Sequence, residues 1–438
     1  MEQQGDMTQQ LPDDALAGVL ARLAPRGIAA SRCVCKAWRD IIDARHILRA
    51  DLLPLSLAGI FIDFRELRYS EFFCRPPPRE GLGVRERIDC GVVDHCNGLL
   101  LLYDSVANPV MGWEEPLPPR PPPSHGMEYQ FEDNYLVFDP ATSPHYQVFH
   151  VPLVPHGETV MAESEWPPSS FVMWVFSSVN GQWEEKAFVR QGPPAGTIAQ
   201  LAAFQWCDTR HAVYWRGALY VQREHHFVIR LSLSDSTYQV IKPPNTLQSV
   251  RGHDSYLGKS KKGVYYVLMF GNSDLQVWVL EESRDAYAEW TLEHDVDLQV
   301  LIPRLNYRPQ AYGPWILQDV NYNEDKRITI YNDNESTIVD QDFEWNSDDD
   351  ALDTEDMVDD MVDACNHNGA SVLGLHPFKE IVFLSCSISR GLAYHLSTSK
   401  LEDIGSIYPK YYREVSGPHR DIQDFFSIHT LLDGVAPQ

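Results

Sequence analysis

Between Leu55 and Ile404 the chain repeats one pattern, in which short apolar runs are broken by turn signals. Among them are Gly98–Tyr103, Tyr135–Phe138, Phe171–Phe176, Ala212–Trp215, Ala218–Val221, Phe227–Leu231, Gly263–Leu268, Leu275–Leu280, Ile381–Ser385 and Leu392–Leu396. Asn180-Gly181 and Arg216-Gly217 punctuate them, and Asn-Gly between two apolar runs is the strongest short hairpin signal. Runs of this length, rich in β-branched and aromatic residues, read as strands rather than helices. The unit recurs at a period of roughly 40–60 residues, which predicts four-stranded blades of a β-propeller. The alternative is a pair of β-sandwiches, but at this length sandwiches need two domains, whereas 438 residues fit one large β domain plus a small module.

The first fifty residues differ. Leu16, Val19, Leu20 and Leu23 follow helical spacing, so the periodicity places them on one face. Pro12 suits the helix start, and Asp13 and Asp14 meet the positive end of its dipole. Pro25 and Gly27 stop it. A second short helix is expected from Ile28 to about Val34, and a third carrying Trp38, Ile41 and Ile42 toward Leu48. Such a module is near the limit of independent stability. It reads either as a cap on the larger domain or as a docking element.

Residues 11–50 resemble an F-box, on Leu11-Pro12-Asp13-Asp14, the spaced aliphatics, Arg22–Arg26 and Arg32-Cys33-Val34-Cys35-Lys36-Ala37-Trp38-Arg39. Ala15 and Ala24 depart mildly from the pattern, and Ala29-Ala30 weakens the second helix face. The resemblance implies three helices that dock onto the Skp adaptor of a cullin-RING ubiquitin ligase. By position Leu11, Pro12, Leu16, Val19, Leu20, Ile28, Val34, Cys35 and Trp38 match the family's docking and core positions. Which of them touch the adaptor, and which only hold the bundle, stays open at this level.

The body resembles the F-box-associated, kelch-like β-propeller of plant F-box proteins, through Cys96-Asn97-Gly98-Leu99-Leu100-Leu101, Phe138-Asp139-Pro140-Ala141-Thr142, Asn180-Gly181-Gln182-Trp183, Arg216–Tyr220 and Val277–Leu280. It has no Gly-Gly pair of the kelch type and no Trp-Asp pair. The expected architecture is therefore an α+β multidomain chain: a tail over 1–10, a three-helix F-box over 11–52, and an all-β propeller over 53–434. The Pro-rich stretch 107–127 is expected as an extended loop. Residues 340–363 hold twelve acidic residues and no Lys or Arg, which predicts a disordered insertion, solvated or contacting a basic partner.

A net charge of −26 argues against nucleic-acid binding and against an anionic membrane surface. Met1–Gln10 is polar with no apolar signal core, and no run approaches a membrane span. The eight scattered cysteines show no disulfide framework and read as free, mostly buried thiols in a reducing compartment, cytoplasm or nucleus.

Tests for chemistry fail one by one. Cys90 with His95-Cys96 fits no zinc spacing and reads as the start of a blade. Glu224-His225-His226 lacks the zinc-protease order and reads as a loop or strand edge. Gly252–Ser260 imitates a phosphate loop with one residue too many before Gly258 and no following helix. No Gly-x-Ser-x-Gly elbow occurs. No cofactor, metal or catalytic residue is expected. The resemblance implies a non-catalytic receptor: the F-box holds the Skp adaptor, and the propeller captures an unidentified protein target for ubiquitination. The alternatives are a carbohydrate-binding or enzymatic propeller with an incidental helical cap, and a scaffold that binds the adaptor without delivering a target.

Overall fold

The computed structural model describes residues 12–23, 31, 36–45, 47, 56–64, 67–75, 88, 91–109, 112–121, 132–140, 142–155, 163–202, 211–223, 227–244, 253–271, 273–282, 288–301, 314–322, 370–386, 390–410, 412 and 422–430. At the N-terminus α1 (Asp13–Leu20) packs against α2 (Lys36–Ala44). Leu16, Ala17 and Leu20 form one cluster with Ile41 and Ile42, flanked by Trp38 and Ile47. Of the expected second helix only Ser31 is described, helical and buried, and the acidic stretch 340–363 lies outside the described residues. The helix bearing Trp38 ends at Ala44, short of Leu48.

The rest is built from strands. They begin with β1 (Ser56–Phe64) and β2 (Glu71–Cys74), which are antiparallel. Blade 2 follows as β3 (Asp94–Cys96), β4 (Leu99–Leu101), β5 (Ser105–Asn108) and β6 (Trp113–Pro116). Blade 3 holds β7 (Glu132–Phe138), β8 (Tyr146–Pro152), β10 (Ser170–Ser177) and β11 (Gln182–Arg190), with a small side pair of β9 (Glu165–Trp166) and β12 (Gly196–Thr197). A short helix, α3 (Ile198–Ala202), leads on to blade 4: β13 (Ala212–Trp215), β14 (Ala218–Arg223), β15 (Phe227–Ser232) and β16 (Thr237–Ile241). Blade 5 is β17 (His253–Ser260), β18 (Gly263–Phe270), β19 (Asp274–Glu282) and β20 (Ala288–Asp297). After β21 (Ile316–Leu317), blade 6 is β22 (Ala370–Leu375), β23 (Ile381–Cys386), β24 (Arg390–His395) and β25 (Lys400–Ser406). The last strand, β26 (Ile422–Thr430), returns to β1, so blade 1 has the order β21-β2-β1-β26.

Six four-stranded blades thus stand among the described residues, blades 3 and 4 being joined at their outer edges by parallel pairing of β11 with β16, and their innermost strands touch in sequence: β26, β3, β7, β13, β17, β22, and back to β26. The ring closes because the two chain ends share a blade. Packing repeats the same order. One apolar cluster fills each interface, between blades 1 and 2, 2 and 3, 3 and 4, 4 and 5, 5 and 6, and 6 and 1. A strand between two such interfaces needs apolar residues on both faces, which abolishes the usual alternation. In β18, Val264, Tyr266 and Leu268 face blade 4, while Tyr265, Val267 and Met269 face blade 6. The inner hairpins turn on Asn97-Gly98 (φ 48°, 92°) and Arg216-Gly217 (φ 46°, 80°), the paired positive φ of tight hairpin turns.

Two expectations are corrected. The Pro-rich stretch 107–127 is not all loop, since Ser105–Asn108 and Trp113–Pro116 pair as blade 2's outer strands. Pro116 ends an edge strand, where its missing N–H breaks no ladder. Nor are all the thiols free: Cys74 and Cys96 are, but Cys386 is in a disulfide whose partner lies outside the described residues.

At Gly59 the register of β1 against β26 shifts. A Cβ there would stand 2.6 Å from Phe72 Cζ, 2.6 Å from the Phe73 carbonyl oxygen and 2.7 Å from Cys74 Cβ. Two of these atoms cannot swing away. Gly59→Ala is therefore expected to destabilise the protein by about 1–3 kcal/mol, read as a lower denaturant midpoint; an unchanged midpoint would show that β1 and β2 have room to separate.

Candidate functional site

Two places are candidates for a functional site, the helical head and one end of the central channel. In the head, α1 starts after Pro12, with Asp13 and Asp14 in its first turn. Arg45 pairs with Asp14 across the two helices, an exposed contact that fixes their register more than it stabilises them. The single apolar face expected from spacing is divided. Leu16 and Leu20 are buried, whereas Val19 is 54% exposed and Leu23 40% exposed. At about 100° per residue the stripe through Leu16, Leu20 and Ala17 is full, and Val19 falls well to one side of it. Leu23 lies beyond the last helical turn. Pro12 is also exposed, and Trp38 is half-buried. Leu11, Ile28, Val34 and Cys35 lie outside the described residues. Among the sequence-derived docking positions, the structure therefore separates bundle-holding Leu16 and Leu20 from outward-facing Pro12 and Val19.

The channel end is organised by β3. Each innermost strand has one edge with no strand beside it, and its N–H and C=O groups need other partners. On β7 these partners come from blade 2. Asp94 Oδ2 accepts from Leu136 N at 2.7 Å, and Cys96 Sγ accepts from Phe138 N at 3.4 Å while its thiol donates to Phe138 O at 3.3 Å. Asn97 Nδ2 donates to the same carbonyl at 2.6 Å. Residues 94 and 96, two apart, thus serve residues 136 and 138, two apart. This explains the Asp-His-Cys-Asn-Gly run in structural terms. Cys90 lies outside the described residues, and among those described no three metal-ligating side chains stand together.

Alternation points His95 the other way, into the channel. With Asn97, Tyr214, Tyr256, Gly258 and Lys259 it lines a small cleft. Lys259 Nζ donates to Asn97 Oδ1 at 2.5 Å, across the channel from blade 5 to blade 2. Gly258 makes room for this wall, since a Cβ there would meet Tyr256 Cε1 at 2.6 Å and Leu375 Cδ1 at 2.8 Å. The His211 ring lies 4.5 Å from that of Tyr256. His95 and Lys259 keep some accessible surface, yet protein surrounds them as walls surround a narrow channel. Burial, then the Lys259 charge, lowers His95 to about 3, so its ring is neutral. Burial also lowers Lys259, and it raises Asp94 to about 8 and the Cys96 thiol to about 11. A thiol so raised is a poor nucleophile. The cleft therefore presents the Lys259 amine, the His95 ring and the phenols of Tyr214 and Tyr256.

Glu224-His225-His226 lies outside the described residues. The phosphate-loop look-alike is strand β17. Sequence reasoning rejected it correctly as a loop but missed that its Lys259 reaches the channel; two-residue alternation from Tyr256 cannot say which face is the channel until the blade order is known.

Residues 9–49 match the F-box domain family model. The comparison with curated proteins returned no match. Among solved structures, the crystal structure of Citrobacter koseri AztD is similar over 86% of this chain and 88% of that one, at 8% identity and a TM-score of 0.33; a likeness of that size transfers neither fold nor role. The chain carries an F-box domain at its N-terminus and an all-β, propeller-like region after it.

Proposed function

We propose that this chain is the substrate-recognition subunit of a Skp-cullin-F-box ubiquitin ligase. The observation that carries the reading is the F-box match over 9–49, joined to a six-bladed ring that presents loops and a channel mouth. The F-box holds the Skp adaptor through an outward face that includes Pro12 and Val19, with Leu23 beside them. The propeller holds a protein target. The chain supplies no chemistry of its own, and tethering raises the effective concentration of target lysines near the charged ubiquitin carrier.

The test is co-purification of the full chain with a Skp adaptor. Val19→Asp places a charge at an exposed position of α1, so the fold is expected to survive. Adaptor binding should weaken by at least about tenfold, the cost of desolvating an unpaired carboxylate at an interface. Circular dichroism checks the fold. If the intact chain fails to bind the adaptor, the ligase reading falls; if Val19→Asp binds as well as the intact chain, the docking face lies elsewhere on the head.

A further inference from the structure

Neighbouring innermost strands meet in ascending register, Asp94 and Cys96 with Leu136 and Phe138, His211 and Trp215 with Tyr256 and Gly263, and Gly258 and Ser260 with Leu375 and His376, so the turns after β3, β13, β17 and β22 lie at the same end of the ring. The cleft opens among the C-terminal halves of these strands. In a chain of net charge −26, these turns carry exposed Arg216, Lys261 and Lys379. Lys259 stands inside them. Its one hydrogen bond among the described residues goes to the neutral Asn97 amide, and no described carboxylate lies within ion-pairing distance of it.

The other cations drawn inward are treated differently. Arg190, Arg230 and Arg390 each hold a carboxylate, from Glu165, Glu282 and Asp403. A buried charge without a counter-ion is costly, because a single neutral acceptor replaces little of its hydration. Among the described residues Lys259 uses one of its three donors. Asn97 is itself fixed by Phe138 O, so its oxygen is held toward the ammonium.

We propose that this end of the channel is a binding site for a carboxylate group, with Lys259 as its counter-ion and Arg216, Lys261 and Lys379 steering acidic ligands to it. Charge selects the class. His95 is neutral, so the pocket offers one positive charge, and Asp139 adds a negative field at Lys259. Each further negative charge on a ligand adds to that field, so a monoanion is favoured over a phosphate dianion. The carboxylate belongs either to a small organic acid or to a polypeptide. In the second case the site is where the target's acidic end enters, which rests on the receptor reading. Binding itself is measured without the adaptor, so its failure is separate from failure of that reading.

The experiment is isothermal titration of the full chain with acetate, with inorganic phosphate, and with a short peptide bearing a free C-terminal carboxylate beside its amidated twin. Saturable acetate binding is expected. It should weaken about ten- to a hundredfold in Lys259→Met, the size of one lost charge-assisted hydrogen bond. Lys259→Gln, which keeps a donor but no charge, should lose most of it as well, and thermal melts establish that each variant is folded. A free-carboxylate peptide that binds more tightly than acetate, with amidation abolishing the gain, assigns the site to a polypeptide; equal binding of the two peptides assigns it to a small acid. No saturable acetate binding, tighter binding of phosphate, or undiminished binding in folded Lys259→Gln overturns the proposal.

Discussion

Ending the chain before Ile422 is expected to abolish cooperative folding of the propeller. The nine residues of β26 pair with β1 from Ser56↔Thr430 to Phe64↔Ile422 and form the inner strand of blade 1. They also touch β22 on one side and β3 on the other. Their loss unpairs one edge of β1 and opens both neighbouring interfaces, where Ile60, Ile62 and Phe64 pack toward blade 6 and Phe61 toward blade 2. At about 1 kcal/mol net per hydrogen bond, one strand's ladder alone approaches the 5–15 kcal/mol that holds a typical domain. The lost apolar burial adds to it at roughly 25 cal/mol per Å². The truncated chain should bind a hydrophobic dye and melt over a broad range, and the missing segment added as a peptide should restore a sharp transition. A truncated chain that melts within a few degrees of the intact one would mean that the other five interfaces suffice without closure.

That dependence on the C-terminal strand is also where the sequence is least legible. The middle strands of blades 3 to 6 and the inner strands of blades 3 and 4 announce themselves, because burial between two interfaces turns them into largely apolar runs such as Gly263–Phe270, whereas the inner strands β17 and β22 do not. β26 does not: its Ile422, Phe425, Phe426 and Ile428 follow neither alternation nor a continuous run. Its identity as a strand comes from β1, an apolar nine-residue partner some 360 residues away by numbering, and such a long-range pairing leaves no local signal. Blade 2's outer strands are hidden for another reason, since Trp113-Glu114-Glu115-Pro116 has a polar, Pro-ended sequence that only an edge strand tolerates. In the head, helical spacing found the right helix but drew too wide a stripe, because Ala17 takes the inward position that Val19 was expected to share. At the channel, His95-Cys96 was legible as a blade start, but Asp94, Cys96 and Asn97 were not legible as partners for the free edge of β7. Lys259 was legible only as part of a failed motif, because a lone cation acquires meaning from what surrounds it in space.

Asp94 should control the alkaline limb of the stability profile. Burial raises its carboxyl to about 8, although the backbone N–H groups of Leu136 and His95 favour the ionised form. The unfolded chain loses this proton near pH 4, so from about pH 4 to about pH 8 the native state binds a proton that the unfolded state does not, and stability falls as pH rises. His95, in the same strand, works in the opposite sense. It is lowered to about 3, so the unfolded chain takes up a proton near pH 6.5 that the native state refuses, and stability is lost as pH falls from there. His150 and His376, each lowered to about 4, add to that acid limb. Stability should therefore peak near pH 6.5, where the histidines become neutral in both states and above which their gain no longer offsets the growing cost of Asp94. Asp94→Asn keeps an oxygen for Leu136 N and removes the titration. The free-energy difference between the variant and the natural chain should move in the variant's favour by about 1.4 kcal/mol per pH unit, or roughly 4 kcal/mol between pH 5 and pH 8. Urea melts at fixed pH values measure it directly, and because the histidines are common to both chains their contribution cancels in the difference. Parallel profiles would mean that Asp94 is ionised in the fold, its two backbone donors outweighing its burial. The edge of β7 would then be held by a charge-assisted hydrogen bond instead of a neutral one.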